Sequence, residues 1–166
     1  MNDAMPTAPP PFQAFFERER VAVLRLLVGM VGPQEAEDCF QEAFLRALRS
    51  WPPADAGERL GGWMLTIAHR VAIDRLRQHA SVPLEVAAEP TAPPTPELAP
   101  DELWDAVRRL PPKQRGAIVL RLVLDQSHAQ VAATLECSEE AARRSYADGL
   151  AAIRRQVGDG TLEVTR

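Results

Sequence analysis

The segment PQEAEDCFQEAFLRALRSW (residues 33–51), followed by GWMLTIAHRVAIDRLR (residues 62–77), decides the fold predicted for this chain. Apolar residues recur every three or four positions in both segments, which predicts two amphipathic helices. The first helix begins with acidic residues and ends with arginines, the order that the helix dipole favours. The second is aromatic and apolar at its start and basic at its end. The pair therefore offers one surface suited to a protein partner and another suited to a nucleic acid.

Composition predicts an all-α protein. The chain has 166 residues, of which 46% are hydrophobic and 25% charged, values that are ordinary for a soluble globular protein. Alanine, leucine and arginine are abundant and aromatic residues are few, which favours helix over strand. No apolar run approaches the roughly 20 residues that span a bilayer. Cys39 and Cys137 are isolated, so we expect a cytoplasmic protein without disulfides or membrane insertion.

A proline-rich segment divides the chain into two predicted domains. Residues 81–100 contain six prolines, which disfavour helix and predict an extended linker. We expect helical domains at residues 12–80 and 101–158, with loose tails at 1–11 and 159–166. The net charge of −4 comes mainly from the linker, since the two domains carry about 0 and +1. Any DNA affinity of either domain alone should therefore be weak and sensitive to salt.

Periodicity and breakers predict seven helices. The expected bounds are 12–31, 33–51, 60–79, 102–110, 113–124, 128–135 and 139–157. Ser127 and Ser138 are the expected N-caps of the last two helices. In the third helix, Trp63, Ile67 and Val71 step at four-residue intervals and are expected to face the core. The three histidines are expected at the surface.

Two patterns are candidates for binding surfaces. Asp38, Gln41, Glu42 and Leu45 share one face of the second helix, because they are three or four residues apart. Their charge pattern alone favours a solvated face over a binding surface. The segment QSHAQVAATLECS (residues 126–138) has the small and apolar residues with which a helix-turn-helix packs two crossed helices, although an ordinary helical hairpin uses similar residues.

These segments, in this order, resemble the extracytoplasmic-function sigma factors of bacterial RNA polymerase, a group of the sigma-70 family. The stretch AEDCFQEAFLRAL (residues 36–48) is similar to the region 2 face that docks on the polymerase clamp. The stretch AIDRLR (residues 72–77) is similar to the helix that engages the promoter's minus-ten element, and the loop at 54–61 matches the loop that captures a flipped base. The resemblance thus implies polymerase binding by Asp38, Gln41, Glu42 and Leu45, and DNA binding by Arg59, Arg70, Arg75 and Arg77.

The C-terminal domain resembles sigma region 4, which reads the minus-thirty-five element. The stretch LPPKQR (residues 110–115) matches the opening of that region. Its recognition helix departs from the family, because Ser145 and Asp148 stand where basic residues are usual. Arg143 and Arg144 are the residues expected to contact DNA there.

The resemblance implies a sigma factor whose partners are core RNA polymerase, promoter DNA and, in some members, an anti-sigma factor. No nucleophile–base pair, phosphate loop or metal-ligand cluster is recognisable, so we expect no enzyme, cofactor or metal. The alternative is a degenerate sigma-like protein that binds an anti-sigma factor or polymerase without reading promoters. A free-standing helix-turn-helix repressor would leave the N-terminal domain unexplained.

Overall fold

A computed structural model describes residues 9–54, 59–80 and 101–157, and within these ranges the chain forms helices and no strand. The helices are α1 (Phe12–Val31), α2 (Pro33–Arg49), α3 (Leu60–Ala80), α4 (Asp101–Arg108), α5 (Pro112–Ile118), α6 (His128–Leu135) and α7 (Glu139–Val157). The all-α prediction is confirmed, and most helix bounds agree within two residues. None of these helices has the length and apolar character that crossing a membrane would require.

The helix predicted over residues 113–124 is not uniformly α-helical. It ends as α5 at Ile118 and continues as a π-helical turn over Val119–Val123. A π-turn widens the helix by one residue, so the apolar residues that follow it no longer keep their α-helical alignment. Leu122 is accordingly 43% exposed, while Val119 and Leu120 are fully buried.

Helices α1, α2 and α3 form a three-helix bundle in which each helix packs on the other two. Phe15, Leu26, Met30 and Met64 are fully buried at its centre. An aromatic cluster closes the end of the bundle where α2 finishes: the Trp51 ring lies 5.3 Å from Phe12 and 4.6 Å from Phe15, measured between centroids. Edge-to-face and tilted ring pairs of this kind add to the burial energy of the aromatic side chains.

The face that α3 buries differs from the prediction. Trp63 and Ile67 are only half-buried at the margin of the core, whereas Val71 is buried as expected. The buried face of α3 is wider than the predicted face and is rotated about the helix axis relative to it. Its residues are Leu60, Met64, Leu65, Ala68, His69, Val71 and Ala72. The cause is a second packing partner, because α3 contacts α5 and α6 as well as α1 and α2.

Helices α6 and α7 form the predicted helix-turn-helix. The Ser127 hydroxyl accepts from the Gln130 amide at 3.2 Å, and the Gln130 side chain accepts from the Ser127 amide at 2.8 Å, which is a capping box. Ser138 caps α7 by accepting from the Ala141 amide at 3.1 Å. Val131, Ala132 and Leu135 are buried where α6 meets α5 and α7, so their expected packing role is confirmed.

The N-terminal bundle and the C-terminal helices share one continuous core. Helix α1 packs on α4, α5 and the π-turn, and α3 packs on α6. The expected linker at 81–100 and most of both expected tails lie outside the described residues. The division into domains at residues 12–80 and 101–158 stays a prediction.

Candidate polymerase and nucleic-acid surfaces

The outer face of α2 is open. Asp38, Gln41 and Glu42 are exposed, and Leu45 is 52% exposed. These four residues, which we call the α2 face, lie together because α2 packs chiefly on α1 and α3 and leaves its opposite side in solvent. Leu48 is 50% exposed beside them and was missed by the sequence analysis, although its spacing of three from Leu45 could have indicated it. Two exposed leucines among acidic residues form a surface suited to a protein partner.

A small ion network ties the α2 face to α3. The Arg46 guanidinium contacts Glu42 at 2.6 Å on its own helix and Asp74 at 3.1 Å on α3. The hydrogen bond that Arg46 donates to Glu42 is the largest of the causes that raise the pKa of Arg46, and the hydrogen bond that it donates to Asp74 adds to it. Because all three side chains are at least 40% exposed, solvent screens the network and it orients these groups more than it stabilises the fold.

The arginines predicted to bind DNA do not form one patch. Arg75 pairs with Glu35 on α2 and is half-buried between the two helices. Arg70 lies on the other side of α3, where its Nε donates to Glu136 of the C-terminal helices at 2.9 Å. The hydrogen bond to Glu136 raises the pKa of Arg70, and the same pair lowers the pKa of Glu136. Arg77 is exposed near the end of α3.

An open cleft of about 660 Å³ runs between α3 and the C-terminal helices. Arg70 and Arg77 line one wall, and Lys113 and Glu136 line the other. Three cationic side chains against two carboxylates, Asp74 and Glu136, give the cleft lining a net charge of +1. This is the charge that an entering phosphate backbone requires.

Arg59, the basic residue of the predicted base-capture loop, faces a second cleft. This cleft, of about 740 Å³, lies between the start of α3 and helix α6, whose Gln130, Ala133 and Thr134 form part of its wall. Residues 55–58 of the loop lie outside the described part of the chain. In this conformation, Arg59 and helix α6 line the same cleft.

His69 is buried, and its prediction as a surface residue was wrong. The side chain is 9% exposed and sits where α3 meets α5, so that a Cβ placed on Gly116 would lie 3.2 Å from His69 Nε2. Desolvation lowers the pKa of His69 to about 4, with Arg70 acting in the same direction and Glu136 against it. Helical spacing in the N-terminal bundle gave no signal for this burial, because the covering helix comes from the other half of the chain.

The recognition helix α7 exposes Arg143 and Arg144 but pairs each of them with a glutamate of the same helix. Arg143 contacts Glu139, and Arg144 contacts Glu140 at 3.4 Å, each one turn earlier. Arg144 is 73% exposed, and Asp148 is also exposed. The amino-terminal half of α7 is therefore close to electrically balanced, which weakens its attraction for phosphate relative to a run of unpaired bases.

Cysteine and metal chemistry are not evident in the described ranges. Cys39 is buried, and desolvation raises the pKa of its thiol, so it packs as a small apolar residue. Cys137 is half-buried in the turn between α6 and α7. Within residues 9–54, 59–80 and 101–157, no group of three His, Cys, Asp or Glu side chains could hold a metal ion.

Comparison with known proteins identifies the class. The family model described as sigma-70 region 2 matches residues 15–82, and that described as sigma-70 region 4 matches residues 101–153. The chain is 34% identical to the RNA polymerase sigma factor CarQ of Myxococcus xanthus, over 93% of this chain and 94% of CarQ. It is 30% identical to the ECF RNA polymerase sigma factor SigK of Mycolicibacterium vanbaalenii, over 89% of this chain and 82% of that protein.

The fold has close counterparts among solved structures. The sigma factor RpoE of Bartonella quintana, solved with the anti-sigma factor NepR, superposes with a TM-score of 0.75 at 18% identity, covering 90% of this chain and 98% of that one. CnrH, solved with the cytosolic domain of CnrY, gives a TM-score of 0.66 at 16% identity, covering 88% and 86%. The chain belongs to the sigma-70 family. Within that family it is an extracytoplasmic-function sigma factor, which directs RNA polymerase to promoters.

Proposed function

We propose that the α2 face is the surface on which this sigma factor docks on core RNA polymerase. The observation that carries the proposal is the exposure of Asp38, Gln41, Glu42 and Leu45 on one side of a helix whose other side is fixed in the core. Exposed leucines can be desolvated by a partner, and the acidic groups around them favour a basic surface on that partner. Leu48 extends this docking surface by one turn.

Promoter DNA is proposed to bind along α3 and the loop before it. Arg70 and Arg77 line the cleft of net positive charge, and Arg59 belongs to the loop that would receive a flipped base. Flipping costs a few kcal/mol, which contacts to the base and the backbone must offset. Arg75 remains one of the residues proposed to bind DNA, but its ion pair with Glu35 would have to break before it could contact a phosphate.

The helix-turn-helix is proposed to contact the upstream promoter element through Arg143 and Arg144. The exposed side of α7 presents both arginines, although each would have to leave its intrahelical glutamate to reach DNA. A recognition helix reads bases near its amino-terminal end, where both arginines lie. Specificity would come from the two DNA contacts acting together with polymerase.

The protein is proposed to act in the cytoplasm by binding and not by catalysis. An anti-sigma factor is a further proposed partner, because the solved counterpart RpoE is a sigma factor in complex with the anti-sigma factor NepR.

The test is run-off transcription by core RNA polymerase on a template that carries the region upstream of this protein's own coding sequence. We expect a discrete transcript that requires the chain and is lost with Arg70→Ala/Arg77→Ala. Gln13→Ala/Glu17→Ala, two exposed changes on α1, is the matched control and should leave the transcript unchanged. A chain that binds core polymerase without yielding a transcript from this or any genomic promoter would instead be a sigma-like interaction protein.

A further inference from the structure

One aromatic ring of the recognition helix α7 is contacted by two other elements of the C-terminal half. Tyr146 lies on α7 one turn after Arg143, and its side chain is half-buried against the core. The guanidinium carbon of Arg121 lies 5.8 Å from the centre of the Tyr146 ring, within the range of a cation–π contact. The His128 ring meets the same ring edge-on, with 5.6 Å between the centroids. Tyr146 therefore ties α7 to the π-turn and to the first turn of α6.

Arg121 also fixes the path of the chain into α6. It stands in the middle of the π-turn Val119–Val123, a kind of turn that is frequent at functional sites. Its Nη1 donates to the carbonyl of Gln126 at 2.7 Å, immediately before Ser127, the N-cap of α6. One guanidinium thus orders both the entry to α6 and the ring on α7.

A glycine lets α7 lie close enough for these contacts. A Cβ added to Gly149 would lie 2.8 Å from Ile118 Cγ1 and 3.4 Å from the carbonyl oxygen of Gln114 on α5. Gly149 lies inside the 19-residue α7, where glycine is less favourable to the helix than alanine. Gly149 and Tyr146 are three residues apart and occupy neighbouring positions on the helix surface. Their contacts together fix the rotation of α7 about its own axis.

The side chains around Tyr146 are poorly chosen for stability alone. Arg121 Nε and His128 Nδ1 are buried without a hydrogen-bond partner among the described residues. A buried polar atom that makes no hydrogen bond costs free energy, and apolar side chains would fill the same space without that cost. An arginine and a histidine at these positions are therefore better explained by the orientation they give to the Tyr146 ring.

We propose that Tyr146 is a positioning residue for base reading by α7, and that Arg121 and His128 hold its ring in place. Arg143 and Tyr146 are three residues apart and share one side of the helix. A change in the rotation of α7 therefore moves Arg143 directly and alters which base edges it reaches in the major groove. Tyr146 can act in this way only if α7 contacts the upstream promoter element, so the inference rests on that proposed function.

The ring geometry can be tested in the free chain. Tyr146 is the only tyrosine of the sequence, so tyrosine-selective isotope labelling of the full chain gives one tyrosine ring system in the NMR spectrum. We expect nuclear Overhauser contacts from that ring to the His128 ring and to the Arg121 side chain. The absence of both contacts would overturn the inference.

The positioning role is tested by the base preferences of the holoenzyme formed from the full chain and core RNA polymerase. The template is the region upstream of this protein's own coding sequence with its upstream element randomised, and the bound DNA is sequenced. Tyr146→Ala should lower the preference for the favoured base about tenfold at one or two positions. Tyr146→Phe should keep the wild-type preferences, because phenylalanine retains the ring.

Two further variants separate positioning from packing. Arg121→Met removes the cation and the bond to Gln126, so its base preferences should change at the same positions as those of Tyr146→Ala. Leu150→Ala is the matched control, because it truncates another half-buried side chain of α7. A variant that only destabilises the helix-turn-helix lowers binding to every sequence by the same factor. A rotated α7 instead changes the ratio between sequences.

Tyr146→Ala with wild-type ratios, whether or not its affinity falls uniformly, would overturn the inference and leave the proposed function intact. Equal changes of preference in Tyr146→Ala and Leu150→Ala would also overturn it, because packing alone would then explain the effect. Wild type without any preference in the randomised element would remove the proposed contact of α7 with DNA, and the positioning role with it. The two failures are thus distinguished by the wild-type profile.

Discussion

The outer faces of α2 and α3 were both predicted to be binding surfaces, but their residues have different surroundings in the structure. Every residue predicted on the α2 face is exposed where it was expected. On α3, His69 is buried, Arg70 is paired with Glu136, and Arg75 is held by Glu35. Helix α2 packs chiefly within the N-terminal bundle, whereas α3 is packed from both halves of the chain. Spacing within one helix therefore predicts a surface well only when that helix has packing partners on one side.

The difference between α2 and α3 can be tested most directly at the α2 face. Asp38→Ala/Gln41→Ala/Glu42→Ala should abolish co-purification with core RNA polymerase, because it removes the polar part of the proposed docking surface. All three residues are exposed and alanine favours helix, so the fold and the circular dichroism spectrum should not change. Gln13→Ala/Glu17→Ala on α1 is the control. Wild-type recovery of polymerase with the triple variant would remove the docking assignment.

The next largest effect is expected at Arg115, whose buried guanidinium donates to the carbonyl of Met30 in α1 and so joins the N-terminal bundle to the C-terminal helices. Arg115→Met should lower the free energy of unfolding by about 3 kcal/mol, since it leaves the buried carbonyls of Met30 and Leu110 without their charged donor. The shift in urea midpoint measures this effect. Arg109→Met, an exposed change close by on the chain, should shift the midpoint little. Equal effects from the two variants would mean that the buried guanidinium is unimportant to the fold.

The buried side of α3 predicts a dependence on pH. The pKa of His69 is about 4 in the folded chain and near 6.5 when unfolded, so between these values the unfolded chain binds the proton more readily. Stability that is present above about pH 6.5 should therefore be lost as the pH falls toward 4, by up to about 3 kcal/mol. Urea unfolding at several pH values measures the loss.

The variant His69→Leu isolates that contribution, because carboxylates also titrate at the acidic end of the range. The difference in unfolding free energy between wild type and His69→Leu should change from pH 7 to pH 4.5. His79→Gln, at an exposed position on the same helix, is the control. A difference that stays constant with pH would show that His69 is not held neutral by burial.

The recognition helix α7 sharpens the comparison, because one of its faces is open to solvent like that of α2, but Arg143 and Arg144 are paired with glutamates of the same helix. Arg143→Ala should weaken binding of the full chain, with polymerase, to a promoter fragment by about 1–3 kcal/mol if the arginine contacts a base. If Arg143 contacts a phosphate, the replacement should instead reduce the salt dependence of binding. Asp148→Arg should tighten binding, and Ala151→Ser, an exposed neutral change on α7, should have no effect. Fluorescence anisotropy across a salt series measures all four proteins.

Identical curves for wild type, Arg143→Ala and Asp148→Arg would mean that α7 does not read DNA. The exposure of Arg143 and Arg144 on α7 would then have a cause other than DNA binding. The polymerase-docking proposal would be unaffected, because it depends on α2 alone.

Local sequence features predicted the helices well. The capping serines Ser127 and Ser138 and the breaking pair Gly32–Pro33 act through neighbours in sequence, so their effect could be read without tertiary information. The π-turn after Ile118 was missed, because its sequence is as apolar and as compatible with an α-helix as α5 itself. Leu48 was missed only because the analysis of the α2 face stopped one turn too early.

The sequence by itself determined the all-α fold, the caps and breaks of its helices, and the outward face of α2. Each of these depends on residues within about two turns of one another, so periodicity and local hydrogen bonding suffice. Tertiary structure decided which face of α3 is buried, the burial of His69, the partner of Arg70 and the hydrogen bond from Arg115 to the Met30 carbonyl. Those depend on contacts between residues up to 85 positions apart. No local pattern encodes such a contact, because the covering surface exists only once both halves of the chain have folded together.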